Sequence, residues 1–200
     1  MIGTLQRPKL YEQHGMQLAA KYILDVCQKL KIEPNFYDLY SCFPVAVQMF
    51  AESLNLNDYK KFTITGGMSF AGGPLNSYVL HSLAKMVSKI RKTKDSSGII
   101  TGVSGMMTKQ SYAILSSNPL MNFTHKDFTE VAAKKEKPVG ISSLKKGSGI
   151  VIGYTIMKKT EGKYKAVIFI DCSDNKRKLI TSDDMSIIKS MENKEWVGKK

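Results

Sequence analysis

Long apolar runs are missing from this 200-residue chain, and nothing in it approaches the roughly 20 consecutive apolar residues that a bilayer-spanning helix needs. No signal-peptide core follows Met1 either, since MIGTLQRPKL is mixed and polar. Cysteine is scarce: Cys27, Cys42 and Cys172 are odd in number, unclustered and set among apolar neighbours. That excludes a disulfide framework and points to free thiols in a reducing, cytoplasmic setting. The three histidines, His14, His81 and His125, share no metal-ligand spacing, so no metal site is expected. Acidic residues are also few, 17 against 30 Lys+Arg, for a net charge of +13. What is present is a hydrophobic fraction of 42%, enough at this length to bury a core and to exclude wholesale disorder.

The charge is unevenly spread. Residues 1–125 hold 13 basic and 7 acidic side chains, and residues 126–200 hold 17 and 10, so the last 75 positions are denser in both signs. A basic tail suits a polyanion, nucleic acid included. Only three of the 30 cations are arginine, however, and the planar fork that reads phosphate and base edges is an arginine property. A solvated, lysine-rich surface remains the alternative.

Apolar residues at helical spacing mark a first helix over about residues 9–31, stopped by Pro34. A short extended run, FYDLYSCF, leads to a second amphipathic helix through Val47, Phe50, Ala51 and Leu54. KFTIT reads as a β-branched strand, followed by GGMSFAGG and a third helix opening at Pro74. GIITGVSG and SYAILSS then read as strands, giving the alternation of a layered α/β sheet. Residues 125–140, HKDFTEVAAKKEKPVG, read as a linker or an opening edge strand. Beyond them IVIGYTIMKK, YKAVIFIDCS and KRKLITS are hairpin-linked strands, Ser182 caps a short helix, and EWVGKK reads as a last strand. The expected organisation is two domains, 1–125 and 126–200, the second a small β-rich, barrel-like module.

Four constellations merit chemical scrutiny. Gly67-Met68-Ser69-Phe70-Ala71 follows the KFTIT run like a nucleophile elbow, but Ala71, Gly72 and Gly73 separate the serine from the helix start, which an elbow does not allow. Gly147-Ser148-Gly149 with Gly153 leads into a strand, so no helix N-terminus receives a pyrophosphate. Cys42, within Tyr40-Ser41-Cys42-Phe43-Pro44, sits where extended chain meets a helix; it is either an activated thiol or a buried structural one. Gly72-Gly73-Pro74 is either a tight turn or a backbone cradle for an anion or thioester oxygen.

DLYSCFPVAVQMFAESLNL, then TGGMSFAGGPLNSYVLHSLAKMV, then a strand ending in TGVSG, resemble in that order the C-terminal half of a thiolase. The branch is that of the acetyl-CoA acetyltransferase-like, type 1 thiolase-like proteins near the sterol-carrier-protein-type thiolases. The resemblance spans about residues 7–120, and the basic β-rich tail resembles, more weakly, the extra oligonucleotide-binding-like C-terminal domain of the type 1 proteins. It implies an α/β fold: the C-terminal half of a thiolase, a layered α/β/α unit, followed by a small β-rich, barrel-like domain.

The resemblance also says what is lacking. The family's nucleophilic cysteine lies in an N-terminal half that these 200 residues do not include. The Asn-Glu-Ala-Phe loop falls on Tyr40, Ser41, Cys42 and Phe43, and the Gly-His-Pro loop falls on Gly72, Gly73 and Pro74. The Cys-x-Gly loop falls near Val103, Ser104 and Gly105. Histidine and cysteine are therefore replaced at these positions. A general base is worth roughly 10²–10⁴ in rate and an oxyanion donor roughly 10²–10³. Thus no intact catalytic residue is expected.

The functional expectation is a thiolase-related acyltransferase of acyl-CoA and lipid metabolism, catalytically incomplete as this chain. No cofactor is implied beyond a coenzyme A thioester as ligand. The partner is a separate N-terminal thiolase half or a second copy, because a half-fold exposes apolar surface; the missing front half and the end at EWVGKK point to truncation. The alternative is a binding module whose basic tail contacts nucleic acid or a protein, using Tyr154, Tyr164, Phe169 or Trp196 for stacking.

Overall fold

The computed structural model describes residues 2–105, 107–120 and 122–200. They form two compact units, one of residues 11–135 and one of residues 2–10 together with 136–200.

The first unit opens with α1 (His14–Lys29), whose Met16, Ala20 and Cys27 turn inward at helical spacing. Lys31 takes a left-handed conformation (φ 52°) and lets the Ile32 N–H reach back to the Cys27 carbonyl at 2.8 Å, closing the helix end. β1 (Phe36–Asp38) follows, then α2 (Pro44–Ser53), with Pro44 in its first turn. After a four-residue helix, α3 (Met68–Ala71), come α4 (Tyr78–Lys92), β2 (Ser97–Ser104) and β3 (Lys109–Ser116). α5 (Thr129–Lys135) ends the unit and packs on α1, with Phe128 edge-on to Tyr22 at 5.6 Å.

The sheet runs β1-β2-β3, with β1 parallel to β2 (Phe36 opposite Gly98) and β3 antiparallel to it. Alternation along β2 sends Ile99 to the α1/α2 side, among Leu39, Phe50 and Leu54, and Ile100 to the α4 side, against Met86 and Ile90. Both faces are covered, which makes this a layered α/β unit as the alternation of elements implies.

Three local expectations fail. KFTIT is no strand: the backbone N–H groups of Ile64 and Thr65 bond the Asp38 carboxylate, which takes them out of any ladder. The third long helix starts at Tyr78, four residues after Pro74, because the Pro74 carbonyl closes a turn with the Ser77 N–H at 3.2 Å instead. Residues 125–140 contain helix α5 where a linker or strand was expected. Glu130 in its first turn and Lys134 and Lys135 in its last suit the helix dipole.

The second unit is an antiparallel sheet, β4 (Gly149–Lys158), β5 (Tyr164–Cys172) and β6 (Arg177–Ser182), in that order. One face packs Val151, Ala166 and Ile168 against Ile188 and Met191 of α6 (Met185–Asn193). Asp184, not Ser182, caps α6, accepting from the Ser186 N–H at 2.7 Å. On the opposite face the Arg177 side chain meets Asp171 across β5 and β6 and also donates to the carbonyls of Leu5, Arg7 and Pro8. The N-terminal segment is thereby tied to this unit.

The described strands make an open sheet and not the expected barrel; three strands cannot curl far enough to pair their own edges. Each edge is instead covered in part. Arg177 exchanges backbone hydrogen bonds with Gly140 and Ser142 beside β6, and Val151 exchanges two with Gly198 and Lys199 beside β4. That second pair is all that EWVGKK adds to the backbone bonding of the sheet; it forms no regular strand.

Candidate functional site

The parallel pairing of β1 with β2 directs the chain after Asp38 and the last residues of β2 to one end of the sheet. Asp38 is fully buried (0% exposed) and accepts five hydrogen bonds. One oxygen takes the Thr63 hydroxyl (3.1 Å) and the N–H groups of Ile64 (3.0 Å) and Thr65 (2.9 Å); the other takes the hydroxyls of Tyr78 (2.7 Å) and Ser82 (2.8 Å). Thr63 Oγ1 in turn accepts from the N–H groups of Gly66 and Gly67, each at 3.0 Å. A buried carboxylate thus stands in for the lattice that a strand would have provided, and it fixes the glycine loop.

On this frame sit two of the three loops identified from sequence. Tyr40 donates its backbone N–H to Thr101 Oγ1 (2.8 Å), and its ring packs edge-on to Tyr78 at 5.4 Å. Ser41 Oγ accepts the Met68 N–H (2.8 Å) and so joins the first loop to the start of α3. Gly67 and Gly72, both with left-handed backbone (φ 80° and 68°), bracket α3. Gly73 is wedged so closely that a side chain there would meet Met68 and Tyr78 at 3.2 Å. Pro74 is exposed and begins the turn into α4, and Phe43 is exposed at the N-cap of α2.

The third loop stands apart. Ser104 and Gly105 lie at the exposed β2–β3 turn, roughly 10 Å along the strand beyond Thr101. Gly105 is left-handed (φ 64°).

Protonation argues against a nucleophile among these residues. Burial pushes the Cys42 thiol up, and the backbone N–H of Phe43, acting the other way, does not offset it. Burial also raises Tyr40 and Tyr78; Ser41 and Thr65 hydroxyls lower Tyr78 while the Asp38 carboxylate lifts it again. His81, in the first turn of α4, donates from Nδ1 to the Ala71 carbonyl at 2.8 Å, so its ring supports the Gly72 corner. Among the described residues no His/Cys/Asp/Glu group is arranged to hold a metal ion.

No protein-family model matches the sequence, and no curated protein matches it. A solved structure does match: the crystal structure of a monomeric SCP2-thiolase-like protein type 1 from Mycobacterium smegmatis, with a TM-score of 0.85 over 99% of this chain at 23% identity. The fold is thiolase-like. The match covers 44% of that chain, so these residues span less than half of its length.

The thiolase-like unit has large apolar side chains exposed around the two joined loops. Phe43, Phe70, Leu75 and Leu80 are at the surface, Phe70 and Leu75 almost entirely (85% and 98%). Sequence reasoning anticipated exposed apolar surface but missed Asp38. Its signal was an acidic residue inside the apolar FYDL run, opposite a KFTIT run whose threonines alternate. No described helix is long and apolar enough to cross a membrane.

Proposed function

We propose that this chain is a thiolase-related acyl-CoA-binding protein of lipid metabolism in the cytoplasm, catalytically incomplete by itself. The observation that carries the reading is Gly73: it occupies the position that the family resemblance gives to histidine, and a side chain there would meet Met68 and Tyr78 at 3.2 Å, so that one of them must shift to admit it. A coenzyme A thioester is the ligand, met by the backbone of the Gly72-Gly73-Pro74 corner and by Tyr40, Ser41, Cys42 and Phe43, with Ser104 and Gly105 further along the same sheet end.

Phe43, Phe70, Leu75 and Leu80 suit a covering partner, and a separately made N-terminal thiolase half is the partner of matching chemistry, with a second copy of the chain as the other option. The organisation we propose keeps the thiolase-type domain expected over residues 1–125 and the additional basic β-rich domain expected over 126–200, with residues 126–135 moved to the first and residues 2–10 to the second.

Calorimetry with acetyl-CoA and CoA tests the binding: heat at millimolar ligand supports it, and none removes it. Steady thiolysis by the purified chain would overturn the claim of incompleteness. The nucleic-acid alternative keeps Phe169, half-buried outside the α6 core, while Tyr154, Tyr164 and Trp196 are partly buried against that core, where Trp196 also donates to Ser190 Oγ at 3.2 Å.

A further inference from the structure

α4 has two ends, and only the first belongs to the site above. At the other, roughly 22 Å away for fifteen helical residues, the structure opens a cleft of about 610 Å³ between the end of α4 and the end of β3. That is within the range of roughly 300–1,000 Å³ typical of small-molecule sites. Its aliphatic lining is the half-buried Val87 and Leu115, with Ile90 buried behind them in the core. Its rim carries Arg91, Lys92 and Lys94, and a smaller cleft of about 270 Å³ that shares Lys92 adds Lys85 and Lys89.

Five cations thus fall within residues 85–94, and the ion pairs found among the described residues involve none of them. The one carboxylate in the lining, Asp95, already accepts from the Asn118 amide at 3.1 Å. Lys89, Arg91 and Lys92 suit the C-terminal end of a helix dipole, which would account for them by itself. Lys94 lies past the helix end and Lys85 nearly two turns before it, so the dipole does not explain the cluster. Asp95 keeps its charge, so the five cations and one carboxylate of the two clefts leave a net charge of +4, and a cleft lined mainly by one sign of charge concentrates anions.

The walls are also set in advance. Ser96, buried, donates its hydroxyl to the Thr93 carbonyl (2.6 Å), its N–H donates to Ser117 Oγ (2.9 Å), and its carbonyl accepts the Ser117 N–H (2.8 Å). The Asn118 N–H donates to Ser116 Oγ (3.1 Å). The segments that line the two sides are therefore fastened to each other, and they present hydroxyl and amide groups beside the aliphatic lining.

We propose that this cleft binds a nucleoside phosphate: the phosphates at Arg91, Lys92 and Lys94, the flat base against the half-buried Val87 and Leu115. An aliphatic lining serves a planar apolar face and nothing in inorganic phosphate, while the cations serve the phosphates. The site is separate from the acyl-CoA corner and does not depend on it.

Calorimetry of the full chain with ADP, adenosine and inorganic phosphate at low and moderate salt tests this. ADP should bind at least about tenfold tighter than phosphate, with affinity falling as salt rises. Arg91→Ala/Lys92→Ala/Lys94→Ala, three exposed positions, should weaken ADP at least about tenfold with an unchanged circular dichroism spectrum. Lys145→Ala/Lys146→Ala/Lys189→Ala, which removes the same charge from exposed positions elsewhere, should leave it within about twofold. Absence of ADP binding at millimolar concentration overturns the proposal. So does equal affinity for ADP and phosphate, equal loss in both triple variants, or binding of a short oligonucleotide without binding of ADP.

Discussion

Tyr78 Oη donates to Asp38 Oδ1 at 2.7 Å, joining the end of β1 to the start of α4 across 40 positions of sequence. Both groups are buried, and the same hydroxyl shares a hydrogen bond with Thr65 Oγ1 at 3.0 Å, so strand, glycine loop and helix meet at one oxygen. Tyr78→Phe removes that link while keeping the ring against Tyr40, and should cost about 1–2 kcal/mol in urea unfolding. Asp38→Asn places an amide donor among five donors and should cost more, about 3 kcal/mol or above. If Asp38→Asn unfolds at the wild-type midpoint, the carboxylate is not the organising centre of the loops.

Gly73 is tested by putting back what the family resemblance expects there. Gly73→His must displace Met68 and Tyr78, each 3.2 Å from its first side-chain atom, and overpacking of that kind costs about 1–3 kcal/mol. The expected outcome is a lower melting temperature and no gain of thiolysis. A stable Gly73→His protein with measurable turnover would show that the corner has room for the missing base, and the reading of an incomplete site would fall.

Tyr112 sets the alkaline limit. Its ring lies edge-on to Phe50 at 5.4 Å, and its hydroxyl donates to the Met16 carbonyl (3.2 Å) beside Ser53 Oγ (3.0 Å). Burial pushes this phenol well above the usual range, with the Ser53 contact opposing it weakly. The folded chain therefore holds the proton where the unfolded chain releases it, near pH 10 for a free tyrosine, at about 10 on average. Its contribution to stability is complete below that pH and declines as pH rises through the folded value. The stability gap between wild type and Tyr112→Phe should hold from neutral pH to about pH 9 and narrow above about pH 10. A constant gap across that range would count against a buried, proton-retaining phenol.

Helical periodicity made α1, α2 and α4 legible, because an apolar stripe at 3.6-residue spacing has few other uses. β2 was legible too, as a continuous buried run. KFTIT had the composition of a strand, yet its hydrogen-bonding groups turn to Asp38, a partner 25 to 27 residues away that no local window weighs. Pro74 suits a first helical position, but here it opens a separate turn. The barrel expectation rested on counting hairpin strands, and three of them with α6 across one face already cover the core. At the candidate site the loops could be located by resemblance; that Ser41 holds Met68 depends on a contact across 27 residues, and that Gly73 is tight against Met68 and Tyr78 depends on how the corner folds around it.

Arg177 shows the same long reach and gives the sharpest test in the second unit. Its side chain is almost fully buried, its Nε lies 2.7 Å from Asp171 Oδ1, and its other nitrogens bond three carbonyls between Leu5 and Pro8. A buried cation of this kind is held by its partners, and removing it leaves Asp171 and three carbonyls without their donor. Asp171 is half exposed and is met by water, so Arg177→Ala should cost about 1–3 kcal/mol through the orphaned carbonyls. It should also release residues 2–10, whose amides should exchange with deuterium far faster while those of β4 and β5 in their shared ladder change less. Arg177→Lys keeps the charge but supplies no fork, so it should recover only part of the protection. Protection of the Gln6 and Val139 amides is the readout that separates the two ideas, because each donates to a backbone carbonyl, Gly3 and Gln6 respectively, and not to Arg177. If those amides stay protected in Arg177→Ala, the N-terminal segment is held by its backbone alone and the arginine is not its anchor.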